Sequence, residues 1–424
     1  MQTLAFGVWK VFHLARLVLF WLLVIAPALL ALSPEFRKRS RLWTSTRSRK
    51  RSGRKHHILI FGWFGLETIG DQAILLGIMR SFRNIWSQPR FSVYSYNPGW
   101  TLRTVRMLHI ESAVKVVCGV HHLLKSVLAA RMVLLAGGPI LDHPLIRSWL
   151  RILLLCKFLG KPVALYGCGL GPIQSKIHRV AAQLLVDLAD YVFLRDQLSV
   201  KWARLIGAQT KASLSADASL ALDSDPKLSG LRSSHRAKNG IRVGFCLRDL
   251  PSRIRGEDSF RLLSNAIELL VRELDARVTL IPYQTHPFED DRRVIQRVAS
   301  LVTDQRAVDP ILSELELNEV FDITNEQDLI ITMRLHGALF ASMLRIPTIG
   351  ICLPQTSKLR AYLSNIGLGD YVVSLDDLTP ERLLVMVDRA FRNYDALRES
   401  LHRIVPKLSQ LALEMTRRIQ VDLA

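Results

Sequence analysis

The sequence contains no Cys-x-x-Cys pair, and its five cysteines (Cys118, Cys156, Cys168, Cys246 and Cys352) are scattered and odd in number. That argues against a disulfide framework and a thiolate zinc site, and in favour of a reducing compartment. Nowhere do His, Cys, Asp or Glu fall at convincing metal-ligand spacing, so no metal is expected, and Asp290-Asp291 reads as the start of a helix. Acids are scarce at the N-terminus. Residues 1–57 hold twelve Lys and Arg against Glu35 alone, which accounts for +11 of the net charge of +20. No aromatic interleaving and no recognised RNA-binding motif accompanies this basic run. The partner it suits is therefore an anionic membrane surface and not nucleic acid. Short tandem repeats are absent, and 49% hydrophobic with 22% charged residues leaves little room for extensive disorder.

What is present begins with a long apolar run. Leu17–Pro34 passes eighteen residues without a charge, near the lower limit for a membrane-spanning helix, with Pro27 as a potential kink. A cleaved signal peptide is the rival reading, since Ala26-Pro27-Ala28 loosely resembles a cleavage site. Ten Lys and Arg between Arg37 and Lys55 resist export and favour retention. The expectation is an uncleaved anchor over residues 1–35, spanning or interfacial. A basic juxtamembrane linker over 36–55 follows, with the rest of the chain on the cytoplasmic side of the inner or plasma membrane.

From His56 onward, strand-like and helix-like segments alternate at the spacing of βαβ units. Apolar runs at His56–Gly62, Phe91–Tyr96, Val114–Val117, Met132–Ala136, Val163–Tyr166 and Tyr191–Leu194 predict strands, with helices over Gln72–Phe82, Ser148–Leu159, Val180–Leu188 and Gln197–Ile206. Asp223–Asn239 is polar and aperiodic and reads as a linker. A second set follows: strands Ile241–Cys246 and Val278–Pro282, and helices Phe260–Leu274 and Asp290–Val302. The fold expected is α/β, with two Rossmann-like domains (56–222 and 240–424) facing a cleft in a GT-B-like arrangement, preceded by the anchor helix.

Asp328–Lys358 is the stretch around which the rest is organised. Leu329–Thr332 predicts a buried strand, Ala338–Leu344 a helix, and Thr348–Leu353 a second strand, with Arg334 and His336 in the turn between the first two. Ligands of open parallel sheets bind beyond the carboxyl ends of strands, beside the N-termini of the helices that follow. Arg195, Arg248, Arg334 and Lys358 all fall just past predicted strand ends, in both halves. Converging on one cleft, they suit a small polyanion carrying carboxylate and phosphate. For Arg195 and Arg248 a surface salt bridge with Asp196 or Asp249 is the plainer alternative. His336 is a candidate general acid on the strength of an ordinary pKa near neutrality; His143 and His286 are weaker candidates.

Three glycine loops follow strands of the first half: Gly62–Asp71 with Gly65 and Gly70, then Gly137-Gly138-Pro139, then Gly167–Pro172 with Gly169 and Gly171. Each is an ordinary tight turn or a place where backbone approaches a ligand. The first is not Gly-x-Gly-x-x-Gly, so a dinucleotide fingerprint is not met. Asp71 reads as a helix N-cap or as a functional acid, two compatible roles.

These residues together resemble the polysaccharide pyruvyl transferase family. The matching text runs through GWFGLETIGDQAIL (62–75), LLAGGPILD (134–142), YGCGLGP (166–172), LRDQLS (194–199), SAD (215–217), GFCLR (244–248), IPYQ (281–284) and MRLHGALFAS with the following RIPTIGI and Lys358. Thr68 stands where the family often has Asn, and Gln355 where Tyr is common. The resemblance implies a GT-B-like fold and transfer of a pyruvyl (carboxyvinyl) group from phosphoenolpyruvate, as donor co-substrate and with no further cofactor. The acceptor would be a sugar in a cell-surface polysaccharide or its lipid-linked oligosaccharide precursor. It implies that Arg195, Arg334 and Lys358 hold the donor, that His336 protonates its methylene carbon, and that Asp71 orients or deprotonates the acceptor. Two other readings stand beside it: a GT-B glycosyltransferase using a nucleotide sugar, and a non-enzymatic scaffold or anion sensor.

Overall fold

Strand β1 (His57–Gly62) is apolar and buried along almost its whole length, as are β4 (Met132–Ala136) and β6 (Val163–Leu170). Strands without a polar face need cover on both sides, which is the condition of a parallel sheet between helix layers. The first half of the computed structural model meets it. Its sheet also holds β2 (Arg90–Tyr94), β3 (Val114–Val117), β7 (Tyr191–Leu194) and β8 (Ala212–Leu214), in the order β3-β2-β1-β4-β6-β7-β8, with the short β5 (Pro139–Ile140) beside β6. Every ladder is parallel. Helices α1 (Ile69–Arg83) and α2 (Pro98–Met107) pack towards one core. Helices α3 (Gly119–Ala129), α4 (Leu145–Phe158) and α5 (Lys176–Leu188) cover the opposite face, and α6 (Gln197–Leu205) follows β7. The described residues are 56–208, 212–225, 228, 240–250, 255–353 and 357–423. The expected anchor, the basic linker, most of Asp223–Asn239 and Gln355 lie outside them.

The second half repeats the plan. Strands β9 (Ile241–Cys246), β10 (Ala276–Leu280), β13 (Val308–Pro310), β14 (Leu329–Thr332), β15 (Thr348–Cys352) and β16 (Val372–Ser374) form a parallel sheet in the order β13-β10-β9-β14-β15-β16. Between them lie helices α7 (Glu257–Leu274), α8 (Asp291–Leu301), α9 (Leu317–Asn325), α10 (Leu335–Met343) and α11 (Ser357–Asn365). A two-residue ribbon, β11 (Thr285–His286) and β12 (Glu289–Asp290), precedes α8. Helices α12 (Pro380–Arg392) and α13 (Tyr394–Leu423) end the chain. Among the described residues no helix is long and apolar enough to cross a membrane.

The halves are tied at several points. The Ile69 amide donates to the Tyr283 carbonyl at 3.2 Å. Helix α13 returns to the first half, where its Leu411 carbonyl accepts from Ser215 Oγ at 3.1 Å and Gln420 donates to the Ile85 carbonyl at 3.4 Å. Asp223, at the head of the stretch read as a linker, is buried in a 3-10 turn (Ala218–Ser224) and forms a two-pronged ion pair with Arg345 at 2.8 and 3.2 Å.

Several element bounds differ from the sequence reading. The Gly167–Pro172 segment is not wholly a turn: β6 runs on to Leu170, with a register shift against β7 between Leu165 and Cys168. Helix α10 starts at Leu335, three residues before its apolar pattern, which makes Arg334 its N-cap. Helices α2, α3 and α9 are short, amphipathic elements that the sequence reading leaves without a predicted helix.

Candidate active site

The turn after β14 is shaped by Thr332, whose Oγ1 accepts from the Arg334 amide and donates to the Arg334 carbonyl, both at 2.9 Å. Gly337 makes this possible, because a Cβ there would stand 2.4 Å from Thr332 Oγ1. His336 is thereby held in the first turn of α10, facing the first half. A Cβ on Gly70, near the start of α1, would come within 1.9 Å of His336 Nδ1. Gly70→Ala is therefore expected to push the imidazole out of place and abolish turnover while shifting the melting temperature little; a fully active Gly70→Ala enzyme would refute that packing.

The four predicted cations do converge, and each Arg is paired. Arg195 Nη1 donates to Asp217 at 3.0 Å and its Nε lies 3.5 Å from Asp196. Arg334 pairs with Asp291 and, at 3.0 Å, with Glu289; Arg248 donates to Glu289 at 2.8 Å, not to Asp249, which pairs with Arg255. Asp291 is fully buried and accepts from the amides of Asp249, Tyr283 and Gln284 at 2.9–3.1 Å. The Arg334 carboxylate partner is thus built into the backbone, and the expected helix start at Asp290-Asp291 is also a charge anchor. Donor capacity remains: Nε and Nη2 of Arg195, Nε of Arg248 and Nε of Arg334 are buried without a hydrogen-bond partner. Buried donors normally find an acceptor, and these four N–H positions are free to take one.

His336 Nε2 also lacks a partner and lies 4.0 Å from Asp217. Burial, reinforced by Arg195, Lys358 and Arg334 and opposed by Asp217, lowers its pKa to about 4. The expectation of a near-neutral value is corrected here: the free site keeps the imidazole neutral at pH 7. Burial together with Arg195 and Arg248, opposed by Asp71, lowers the Lys358 pKa to about 7. Asp71 is pushed up to about 6 by burial, with Thr68 and Lys358 opposing. Asp71 is not the N-cap. Thr68 caps α1, and Asp71 closes a capping box by accepting from the Thr68 amide at 2.9 Å and hydroxyl at 3.0 Å. Beside it, burial raises Glu67 to about 7 while Thr101 donates to one of its oxygens.

The glycines divide. Gly70 and Gly169 border the site, the latter because a Cβ would stand 2.9 Å from the Arg195 guanidinium. Gly65 instead clears the Asn97 amide, Gly137 the Phe64 ring, Gly138 the Trp63 ring and Gly171 the Trp202 ring. These four make room for neighbouring groups of the first half. His286 is buried and rests edge-on against Trp100, while His143 accepts the Leu145 amide through Nδ1.

Asp217, Glu289 and Asp291 are the residues that sequence reading did not assign to the site. Asp217 follows β8 at the same sheet edge as Arg195 and also accepts from the Ser219 amide and hydroxyl. His336 and Arg195 hold its pKa below the usual range against burial. A buried cluster of cations requires counter-charges, and a search for acids just past strand ends would have found Asp217. No local signal points to Glu289.

The family model for polysaccharide pyruvyl transferase matches residues 69–351, two thirds of the chain, which include Asp71, Arg195, Asp217, Arg334 and His336. By sequence, no curated protein matches. Among solved structures, the fold is similar to the UDP-GlcNAc 2-epimerase of Neisseria meningitidis bound to UDP-GlcNAc (TM-score 0.57, 10% identity, covering 86% of this chain and 100% of that one). It is also similar to Alr3699/HepE of Anabaena in complex with UDP-glucose (TM-score 0.56, 12% identity, 86% and 99% covered) and to MurG of Acinetobacter baumannii (TM-score 0.50, 14% identity, 86% and 99% covered). At these identities the likeness concerns the fold, which is GT-B-like.

Proposed function

Because the chain belongs to the polysaccharide pyruvyl transferase family, we propose that it transfers the carboxyvinyl carbon unit of phosphoenolpyruvate to a sugar and closes it as a pyruvate ketal. The observation that carries this reading is the set of orphaned guanidinium donors on Arg195, Arg248 and Arg334 around Lys358, whose ammonium form is disfavoured by burial and by those Arg charges, against Asp71. Such donors match a ligand with a carboxylate and a phosphate about one carbon apart. Arg195 and Lys358 would take one anionic group, and Arg248 with Arg334 the other.

In this scheme a neutral free-state His336 gains its proton with the donor. Arg195 and Lys358 depress its pKa, and a bound polyanion offsets their charge while Asp217 favours the imidazolium. The proton passes to the methylene carbon of the enol phosphate, and a sugar hydroxyl oxygen bonds to the adjacent carbon as its own proton is lost. Phosphate then departs with the C–O bonding electrons, and a second hydroxyl takes its place to complete the ketal. Asp71, close to its titration point at neutral pH, would accept a hydroxyl proton. The acceptor we propose is a sugar of a cell-surface polysaccharide or its lipid-linked precursor. Residues 1–55 would hold the body at the cytoplasmic face of the membrane; the full chain is expected to stay with membranes in high salt, and its release there would refute that anchor.

A thermal-shift titration tests the donor. Phosphoenolpyruvate at 100 times its dissociation constant adds roughly 2.7 kcal/mol of stability. Lys358→Met is expected to abolish that gain while making the free protein more stable. The sign follows from the folded pKa of about 7, below the unfolded 10.5: the unfolded chain binds more protons between those values, so the penalty of burying the ammonium is complete below pH 7 and fades as pH rises towards 10.5. Donor binding at pH 8 should accordingly take up a proton, measured by calorimetry in buffers of different ionisation enthalpy. No uptake would remove Lys358 from the donor site. A second reading, glycosyl transfer from a nucleotide sugar, draws on the UDP-sugars bound to two structural neighbours. Stabilisation by UDP-glucose and not by phosphoenolpyruvate would favour it.

A further inference from the structure

Helices α3, α4 and α5 cover one face of the first sheet through Leu123, Val127, Trp149, Leu153, Ala182 and Leu185. Each also exposes apolar side chains on its outward side. On α3, Val120 is 79% exposed and Leu124 and Leu128 follow at four-residue steps, one stripe of a helix; Phe158 ends α4, and on α5 Ile177 is 67% and Val180 56% exposed. Interleaved with them, Lys125, Arg147, Arg151, Lys176 and Arg179 are exposed on the same three helices. Neither α3 nor α4 contains an acid, and α5 contains only Asp187.

We propose that this face docks on an anionic bilayer surface, with the apolar side chains in the headgroup boundary and the Lys and Arg on lipid phosphates. Apolar residues flanked by cations, with few acids among them, are the pattern of an interfacial surface, whereas exposed apolar patches on a soluble body are normally small. Charge selects the occupant. Residues 1–57 carry +11, and a second copy of this chain would present the same basic face, so both meet like charge where an anionic lipid meets its complement. The proposal stands on the face's own residues, so it and the donor reading can fail separately.

Cys118 gives a native reporter: it is exposed at the N-cap of α3, and the other four cysteines are buried. The full chain, labelled there with an environment-sensitive fluorophore, is mixed with vesicles of phosphatidylglycerol and phosphatidylcholine and sedimented. The expected result is a blue-shifted probe shielded from an aqueous quencher. A probe at Leu312→Cys in a Cys118→Ser background, on an exposed site of the second half, should stay quenchable. The combined substitutions Leu124→Glu, Leu128→Glu and Ile177→Glu, at unchanged melting temperature, should return the Cys118 probe to water. A vesicle-bound chain whose Cys118 probe is as quenchable as that at Leu312 overturns the proposal. So does a probe already shielded without vesicles, which means the face is covered by the chain itself or a second copy, and so does failure to sediment with the anionic vesicles.

Discussion

His336→Gln is expected to lower turnover by about 10²–10⁴-fold, the usual contribution of a positioned proton donor, with donor affinity little changed. The asymmetry follows from geometry. His336 Nε2 bonds to nothing in the free site and stands 4.0 Å from Asp217, so removing it leaves no buried charge unpaired. The orphaned Arg donors and Lys358 remain to hold the anion. In the wild type the rate should fall as pH rises through the donor-bound pKa of His336, which lies above the free value of about 4 because the donor offsets the surrounding cations. Steady-state rates with isothermal titration of phosphoenolpyruvate check both halves; a Gln variant that keeps wild-type turnover ends the proton-donor role.

Asp291→Ala should have the largest effect on stability. It strips the buried Arg334 guanidinium of its nearest carboxylate and leaves the amides of Asp249, Tyr283 and Gln284 without their acceptor. Breaking a buried ion pair from one side costs about 3–5 kcal/mol. Its neighbour is a built-in control. Asp290 is the N-cap of α8, and its charge partner Arg292 is partly solvated, so Asp290→Ala should cost about 1 kcal/mol. Chemical denaturation distinguishes the two, and equal costs would mean that Arg334 does not depend on Asp291. Burial and the Arg334 charge pull the Asp291 pKa in opposite directions, with burial dominant.

Much of this molecule is written in local pattern. The apolar runs over β1, β4, β14 and β15 lie where the sequence puts them, because strands buried on both faces must be continuously apolar. Placement of Arg195, Arg248, Arg334 and Lys358 past strand ends was legible for the same reason: strand ends are where apolar text stops. Glycine roles were not. Gly70 and Gly138 look alike in sequence, yet one makes room for His336 and the other for Trp63, since the neighbour that occupies the space comes from elsewhere in the chain.

Residue order alone therefore determined the α/β class, the two parallel sheets and the family, all of which depend on short-range periodicity and motif spacing. Tertiary structure decided the electrostatics. Whether a cation is paired, and by what, depends on acids 22 residues away for Arg195 and 43 for Arg334. The pKa of His336 depends on burial between two halves that meet only when the chain is folded. Desolvation and Coulomb forces act through space, and the distance along the chain carries no record of them.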